Sequence, residues 1–248
     1  MIYIILPAYN EEQNIIPLIE SIKKSISRFT NDFVIIAVND GSSDKTLDIL
    51  NAEAEKLPEL QVLSHEKNKG LAESLKSGFV KALELSTEPD DIIITMDADN
   101  THTPGLIPRM LNTIYEGNDI VIASRYRYGA KIRGLSAFRL MLSWWASLFF
   151  RIFLPLQGVK DYTSGYRAYT GDILKKALAY YDDRFITEKG FCCMVDILLK
   201  MRPLDPIIFE VPLILRYDKK KGASKMNVAR TIRETLLLAL KRFFHLHD

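Results

Sequence analysis

The stretch Ile92-Ile93-Ile94-Thr95-Met96-Asp97-Ala98-Asp99 constrains this chain more than any other. Its first half is a run of β-branched residues without polar alternation, the pattern of a strand buried on both faces in a parallel sheet covered by helices. The run stops at two carboxylates one residue apart, where the strand would leave the sheet at its carboxyl end. Open α/β sheets bind ligands at that edge. Like charges so close repel, so the pair is costly unless a cation lies between them. Hard carboxylate oxygens suit Mg²⁺ or Mn²⁺, which usually complete their shells with a substrate's phosphates. Asp97 and Asp99 are therefore candidate metal ligands of a diphosphate site. An Asp turn capping the helix after Pro104 would account for Asp99 and leave Asp97 without a role.

The residues before this stretch build the same edge repeatedly. Residues 2–6 read as a strand ended by Pro7. Asn10 is placed to cap a helix, with Glu11 and Glu12 at its positive end and Gln13 at the capping-box position. Ile15, Leu18, Ile19, Ile22, Ile26 and Phe29 recur at helical spacing, and Pro17 moves the regular start toward Asn14. A second strand, 33–38, breaks at Asn39-Asp40-Gly41-Ser42-Ser43-Asp44, where Gly41 permits the turn and Asp44 caps a helix over 45–56. Then come a strand at 61–64, a helix at 71–85, the strand at 92–96, a helix after Pro104 and a strand at 119–123 ending in Ser124-Arg125-Tyr126. Strands alternating with helices predict a parallel sheet wound in right-handed units. No G-x-G-x-x-G follows the first strand, which argues against a dinucleotide fold. Polar groups stand instead at successive strand ends: Tyr9, Asn10 and Glu11, then Asn39 and Asp40, then Asp97 and Asp99, then Arg125. Gathered in one crevice, they fit a nucleotide with a charged diphosphate.

The second half is less regular. Residues 140–150, LMLSWWASLFF, lie between Arg139 and Arg151. An aromatic-rich apolar segment flanked by arginines reads as a helix in a bilayer interface or as a core helix. Residues 161–167 read as a turn entering a strand, 188–201 as a helix and 206–215 as one apolar strand. Residues 218–225 form a basic loop, and Asn227 caps a last amphipathic helix that packs on the sheet or on anionic lipid. With 248 residues, 48% of them hydrophobic, the chain suffices for one large domain over 1–248. A net charge of +2 is too small to argue for nucleic acid. Cys192 and Cys193, adjacent in apolar sequence, read as reduced core thiols. Met1 leads into a strand without a basic n-region, and no segment reaches the ~20 apolar residues of a membrane-spanning helix. The expectation is a cytoplasmic protein associated peripherally with the membrane.

Pro7-Ala8-Tyr9-Asn10-Glu11, the Asp-Gly-Ser turn at Asp40, Asp97-Ala98-Asp99, Ser124-Arg125-Tyr126, the Asp161…Ser164-Gly165…Arg167 block and Gly222-Ala223-Ser224-Lys225 occur in that order. Together they resemble the family 2 glycosyltransferases of GT-A fold, closest to the dolichyl- and polyprenyl-phosphate mannose and glucose synthases. The resemblance implies an α/β GT-A fold with a nucleotide-sugar-binding half (1–126) and an acceptor-binding half (127–248). It implies that Pro7, Tyr9, Glu11 and Asp40 hold the nucleotide, with Asp40 on the base. Asp97 and Asp99 would bind Mg²⁺ or Mn²⁺ on the donor diphosphate. Arg125, Arg139 and Ser143 fall where the synthases cradle phosphate, including that of the lipid acceptor. The loop ending in Ser224-Lys225 would close over the loaded site. Four positions depart from the family's pattern. Asn39 stands for a first aspartate, Thr101 for a glutamine that can ligate metal, and Trp144 for a basic residue. Lys219 stands for a loop arginine, and Arg216 is the nearest arginine before it.

The implied reaction is inverting attack at the anomeric carbon of a nucleotide-activated hexose. A lipid monophosphate acceptor is already ionised at neutral pH and needs cations rather than a base, whose task is to align two repelling anions. A hydroxyl acceptor needs a carboxylate base, and Glu188 lies about where hydroxyl-acceptor relatives carry theirs. Its other reading is an acid in the first turn of a helix. His102 reads as a structural hydrogen-bonder beside the metal pair, or as a further ligand. A non-catalytic nucleotide-binding protein is the reading from another class, and the intact carboxylate pair argues against it.

Overall fold

The computed structural model describes residues 1–221, apart from the side chains of residues 137–139. The expected loop end at Gly222 to Lys225 and the helix after Asn227 lie outside the described residues.

Strand β1 (Ile2–Ala8) pairs in parallel with β2 (Phe33–Asp40) on one side and β4 (Ile92–Thr95) on the other, and β3 (Leu60–His65) adds in parallel beyond β2. Strand β5 (Ile120–Ser124) carries β8 (Ile208–Pro212) in parallel on its outer side. Between β4 and β5 runs β7 (Arg167–Thr170), antiparallel to both. Among the described residues the sheet has seven strands in the order β3-β2-β1-β4-β7-β5-β8. The sheet is thus mostly parallel and flanked by helices, as expected, and β7 is the one antiparallel strand in it among the described residues. The turn that enters this strand already lies at the ligand edge, so the strand can only run away from it.

Both faces of the sheet are covered, as the unbroken apolar runs require. In β1 the two-residue period sends Ile2, Ile4 and Leu6 into one core and Tyr3 and Ile5 into the other. The first core takes the inner faces of α1 (Ile15–Ile26) and α4 (Ile107–Tyr115), the second those of α3 (Leu71–Leu85), α6 (Gly171–Tyr181) and α7 (Cys192–Met201). Helix α1 buries Ile15, Leu18, Ile19, Ile22 and Ile26, each worth about 1.5–3 kcal/mol against exposure. Two shorter pieces complete the half nearest the cleft. Helix α2 (Thr46–Ala54) follows β2, and β6 (Lys131–Arg133) pairs in parallel with β9 (Ile214–Arg216).

Three local expectations are corrected. Asn10 caps no helix: its φ is +54° and its Oδ1 accepts from the Ser43 amide at 2.8 Å, so α1 begins at Ile15 and Pro17 falls in the first turn, where no amide is needed. The helix expected from Glu188 begins at Cys192, because the buried Asp196 carboxylate accepts from the amides of Thr187 and Glu188 and holds them in a loop. The strand expected over 206–215 is two strands. At Leu213 the chain leaves β5, its amide bonded to the Ser124 carbonyl, and its own carbonyl accepts from Lys131 at the start of β6. A fourth expectation shifts: α2 runs Thr46–Ala54 rather than 45–56, Lys45 stands at its N-cap, and Asp44, one residue earlier, accepts from the Thr46 amide through Oδ1 at 3.0 Å.

Candidate active site

A cleft of about 640 Å³ opens along the carboxyl ends of β1, β2, β4 and β5. Pro7, Tyr9, Glu11, Asp40, Asp97, Asp99, Arg125 and Ser143 all line it. Seven side chains from the ends of four strands, with Ser143 from the second half, thus line one cleft. Glu188, Arg216 and Lys219 do not line it, and Lys220 does.

At the end of β2 the buried Asp40 is held from three directions. Its Oδ1 meets His65 Nδ1 at 2.7 Å and accepts from the Lys69 amide at 2.9 Å, while Oδ2 accepts from the Gly70 amide at 2.8 Å. His65 Nε2 in turn lies 2.9 Å from Ser77 Oγ on α3. The crossing is tight at Gly41, φ +61°, where a Cβ would come 2.4 Å from the Lys67 carbonyl carbon. At the end of β1, Glu11 Oε2 accepts from Asn14 Nδ2 at 2.7 Å, and the Glu11 amide donates to Thr46 Oγ1 at 2.8 Å. These contacts fix the acids of the first half before any ligand arrives.

Asp97 and Asp99 follow β4 in a turn that passes through Asn100 at φ +65°. Thr101, expected to stand for a metal-ligating glutamine, spends its hydroxyl on Asp99 Oδ1 at 2.6 Å and adds its amide at 3.1 Å. Asp99 Oδ2 receives the Lys220 ammonium at 2.6 Å. Burial would raise the Asp99 carboxyl, but Lys220 and Thr101 outweigh it and hold the group below its ordinary range. Burial pushes Asp97 the other way, upward, and Asp99 adds to it against a partial offset from His102 and Lys220. His102 sits behind the pair, 5% exposed and stacked on Tyr166. Its Nδ1 accepts from the Asp97 amide at 3.0 Å, so the proton of the neutral ring is on Nε2, 3.7 Å from Asp97 Oδ2. His102 therefore behaves as the structural hydrogen-bonder of its two readings.

Among the described residues no three His, Cys, Asp or Glu side chains form a metal cluster. Two hard carboxylates at the mouth of a cleft still suit a divalent ion whose remaining ligands come from a bound diphosphate. The ammonium on Asp99 marks where positive charge is wanted. The residues present fit such an ion.

The second half supplies a different wall. Arg125, expected as a phosphate clamp, is held bidentately by the fully buried Asp161, with Nε at 2.8 Å and Nη2 at 2.6 Å, and Nη2 also reaches Thr163 Oγ1 at 2.5 Å. Ser143 Oγ pairs with the Tyr126 hydroxyl at 2.7 Å. Arg216 is fastened to its neighbour Asp218 by contacts of 2.7–3.1 Å, and Lys219 is exposed. The described part of Arg139 is its backbone in α5 (Ala137–Phe153). From α5 the side chains of Leu142, Trp145, Ala146 and Phe149 form an apolar wall, which Phe191 extends. Met141, Trp144, Trp145, Ile152 and Phe153 of the same helix are exposed to solvent.

Lys220, Asn14 and the role of Asp161 do not stand out in the sequence alone. Residues 219–221 of the basic loop are all lysine, and composition cannot choose one member of the three. For Asp161 the signal was an acid in a Ser/Gly turn, which shows no partner in sequence.

The family model for glycosyl transferase family 2 matches residues 3–178. The chain is 34% identical to the undecaprenyl-phosphate mannosyltransferase of Micrococcus luteus, over 90% of this chain and 86% of that relative. It is 31% identical to the polyprenol monophosphomannose synthase of Mycolicibacterium smegmatis, over 94% of this chain and 83% of that protein. Among solved structures, glucosyl-3-phosphoglycerate synthase from Mycobacterium tuberculosis, in complex with Mn²⁺, uridine diphosphate and phosphoglyceric acid, superposes with a TM-score of 0.69 at 19% identity. That match covers 100% of this chain and 80% of the other. It establishes the shared GT-A fold.

Proposed function

Because the chain belongs to glycosyl transferase family 2, we propose that it moves a hexose from a nucleotide sugar to a polyprenyl phosphate. The observation that carries this reading is the make-up of the cleft: acids from the ends of β1, β2 and β4 on one side, and an aromatic, apolar wall from α5 on the other. Charged donor and greasy acceptor each have a matching surface within one volume.

Asp97 and Asp99 would hold a divalent ion on the donor diphosphate. When bound, the ion stabilises the charge that builds on the leaving nucleoside diphosphate. Asp40, fixed by His65 and two amides, is pre-organised for the base, which saves ordering cost on binding. The acceptor phosphate needs no base, and Glu188 lies outside the cleft. Arg125, bound to Asp161, shapes the floor between the two substrates rather than acting as a free cation. Arg139 and Ser143 remain the residues proposed to meet acceptor phosphate.

Among the described residues no helix is long and apolar enough to cross a membrane. The exposed Met141, Trp144, Trp145, Ile152 and Phe153, with Arg151 on the same helix, suit peripheral contact with the bilayer interface, from which a polyprenyl tail could pass along α5. The test is to offer a panel of radiolabelled nucleotide hexoses together with polyprenyl phosphate in detergent or vesicles. Label should enter the organic phase with one donor, in a metal-dependent way. Label that stays in the aqueous phase with every donor would overturn the reading.

A further inference from the structure

The metal pair is not left bare: the chain puts its own cation there. Lys220 Nζ sits 2.6 Å from Asp99 Oδ2, and both side chains are only 14% exposed, so this is an ion pair sunk in the cleft. The lysine is delivered by a strap over residues 217–221 that is fixed at both ends. At its root the metal turn is laced to β9: the Arg216 amide donates to the Thr101 carbonyl at 2.8 Å, and Thr103 Oγ1 donates to the Ile214 carbonyl at 3.0 Å. At its far end the Asn14 side chain grips Lys221 on both sides. Oδ1 accepts from the Lys221 amide at 3.1 Å and Nδ2 donates to the Lys221 carbonyl at 3.0 Å. The same Nδ2 donates to Glu11 Oε2, so the latch stands on the nucleotide-binding acid.

From this geometry we infer that Lys220 is a resident counter-ion of the metal site, which occupies Asp99 in the empty enzyme and gives it up when metal and diphosphate arrive together. The inference rests on the assignment of Asp97 and Asp99 as metal ligands. An ammonium and a divalent ion on the same carboxylate oxygen repel each other at contact distance, so each weakens the binding of the other. A free ion must displace the lysine with only two carboxylates as reward. An ion that brings a diphosphate gains further oxygen ligands and offers the released ammonium a new anion. Metal binding is thereby tied to donor binding, and Asn14, through Glu11, senses both. Lys220 is a positioning residue in this scheme, and Asn14 sets how firmly it is held.

The experiment measures Mn²⁺ binding to the full chain by the loss of the free-ion electron paramagnetic resonance signal, with and without UDP or GDP. If the lysine-occupied state holds nine tenths or more of the empty enzyme, Lys220→Gln should tighten Mn²⁺ binding without nucleotide by roughly tenfold or more. Lys220→Arg, which keeps the charge, should stay near wild type. Asn14→Ala should shift affinity the same way as Lys220→Gln, by less. With nucleoside diphosphate present, the advantage of Lys220→Gln should shrink or reverse. Asp99→Asn separates the two levels of the argument. If it abolishes nucleotide-dependent Mn²⁺ binding while Lys220→Gln leaves nucleotide-free affinity unchanged, the metal site stands and the resident lysine is overturned. If Asp99→Asn has no effect on Mn²⁺, the metal assignment falls and takes this inference with it.

Discussion

Two carboxylate–cation pairs each bring a cation to the cleft, Arg125 on Asp161 and Lys220 on Asp99, and they are built for opposite purposes. Asp161 in the second half is completely buried and accepts four bonds: Arg125 Nε, Arg125 Nη2, the Arg125 amide and the Ser164 amide. Asp99 in the first half holds its lysine by one contact, through a side chain on a short strap. The planar guanidinium matches a carboxylate with two parallel bonds, whereas an ammonium is a point charge that a better cation can replace. The first pair is architecture and the second is a placeholder. A charge pair in a cleft is thus not by itself evidence of a ligand site; the number of bonds that fix it distinguishes structure from readiness.

The largest effect should come from breaking the architectural pair. Asp161→Ala leaves Arg125 without its buried partner and should cost about 3–5 kcal/mol of stability, read as a fall in the urea midpoint. A loss under about 1 kcal/mol would class the pair with ordinary surface bridges and remove the contrast. Asp99→Asn should do the reverse, leaving the melt nearly unchanged and reducing transfer roughly 10²–10³-fold, the scale of losing one stabiliser of transition-state charge. Turnover against Mn²⁺ concentration, with circular dichroism as the folding check, measures both; wild-type activity in chelator would contradict it. Next in size, Arg139→Ala should lose about 1.5–3 kcal/mol of transition-state binding if that residue meets acceptor phosphate, and Glu188→Gln should cost little. A dead Glu188→Gln enzyme beside an active Arg139→Ala one would end the phosphate-acceptor reading.

The smallest effect is a matter of pH. Burial alone would raise the Asp161 carboxyl, but the charge and bonds of Arg125 hold it below the ordinary carboxylate value. Its stabilisation is therefore complete above the unfolded pKa, about 3.9, and is lost as pH falls through the lower folded value. Glu210 works against it: burial raises this carboxyl while it accepts from the Lys160 and Asp161 amides, so it favours the folded state more as pH falls toward its ordinary range. Urea midpoints from pH 7 to 3 should show an acid limb that is shallower in Asp161→Asn than in wild type. Identical limbs would show that Asp161 is not the group that titrates.

This contrast also explains what could be read from the residues alone. The ordered strand ends were legible because a buried parallel strand must end at the ligand edge, so Asp40, Asp97, Asp99 and Arg125 could be placed there from hydrophobic runs and their stops. Helix α3 was legible to the residue, Leu71 to Leu85, since its apolar spacing starts after Gly70. Partners were not legible. Arg125 and Asp161 are 36 residues apart, and Lys220 and Asp99 are 121 apart, so nothing local ties either pair. The same limit hid the direction of β7, which depends on where its entering turn sits and not on its own four residues. It also hid the start of α7, which is set by Asp196 reaching back to Thr187 and Glu188.

That reversed strand fixes a length. Because β7 lies between β4 and β5, the ends that carry Asp97 and Arg125 are separated by two strand spacings, roughly 9–10 Å. The turn before β7 braces both sides of the gap: Thr95 Oγ1 donates to the Gly165 carbonyl, and Ser164 Oγ donates to the Ala123 carbonyl. At Gly165 a Cβ would already stand 3.3 Å from Asp97 Oδ1, so the brace has no slack on the acidic side. The interval between the acids of one half and the guanidinium of the other is therefore a property of backbone pairing. Side chains can be exchanged on either rim, and new substrates explored, while the sheet keeps the two rims at the same distance.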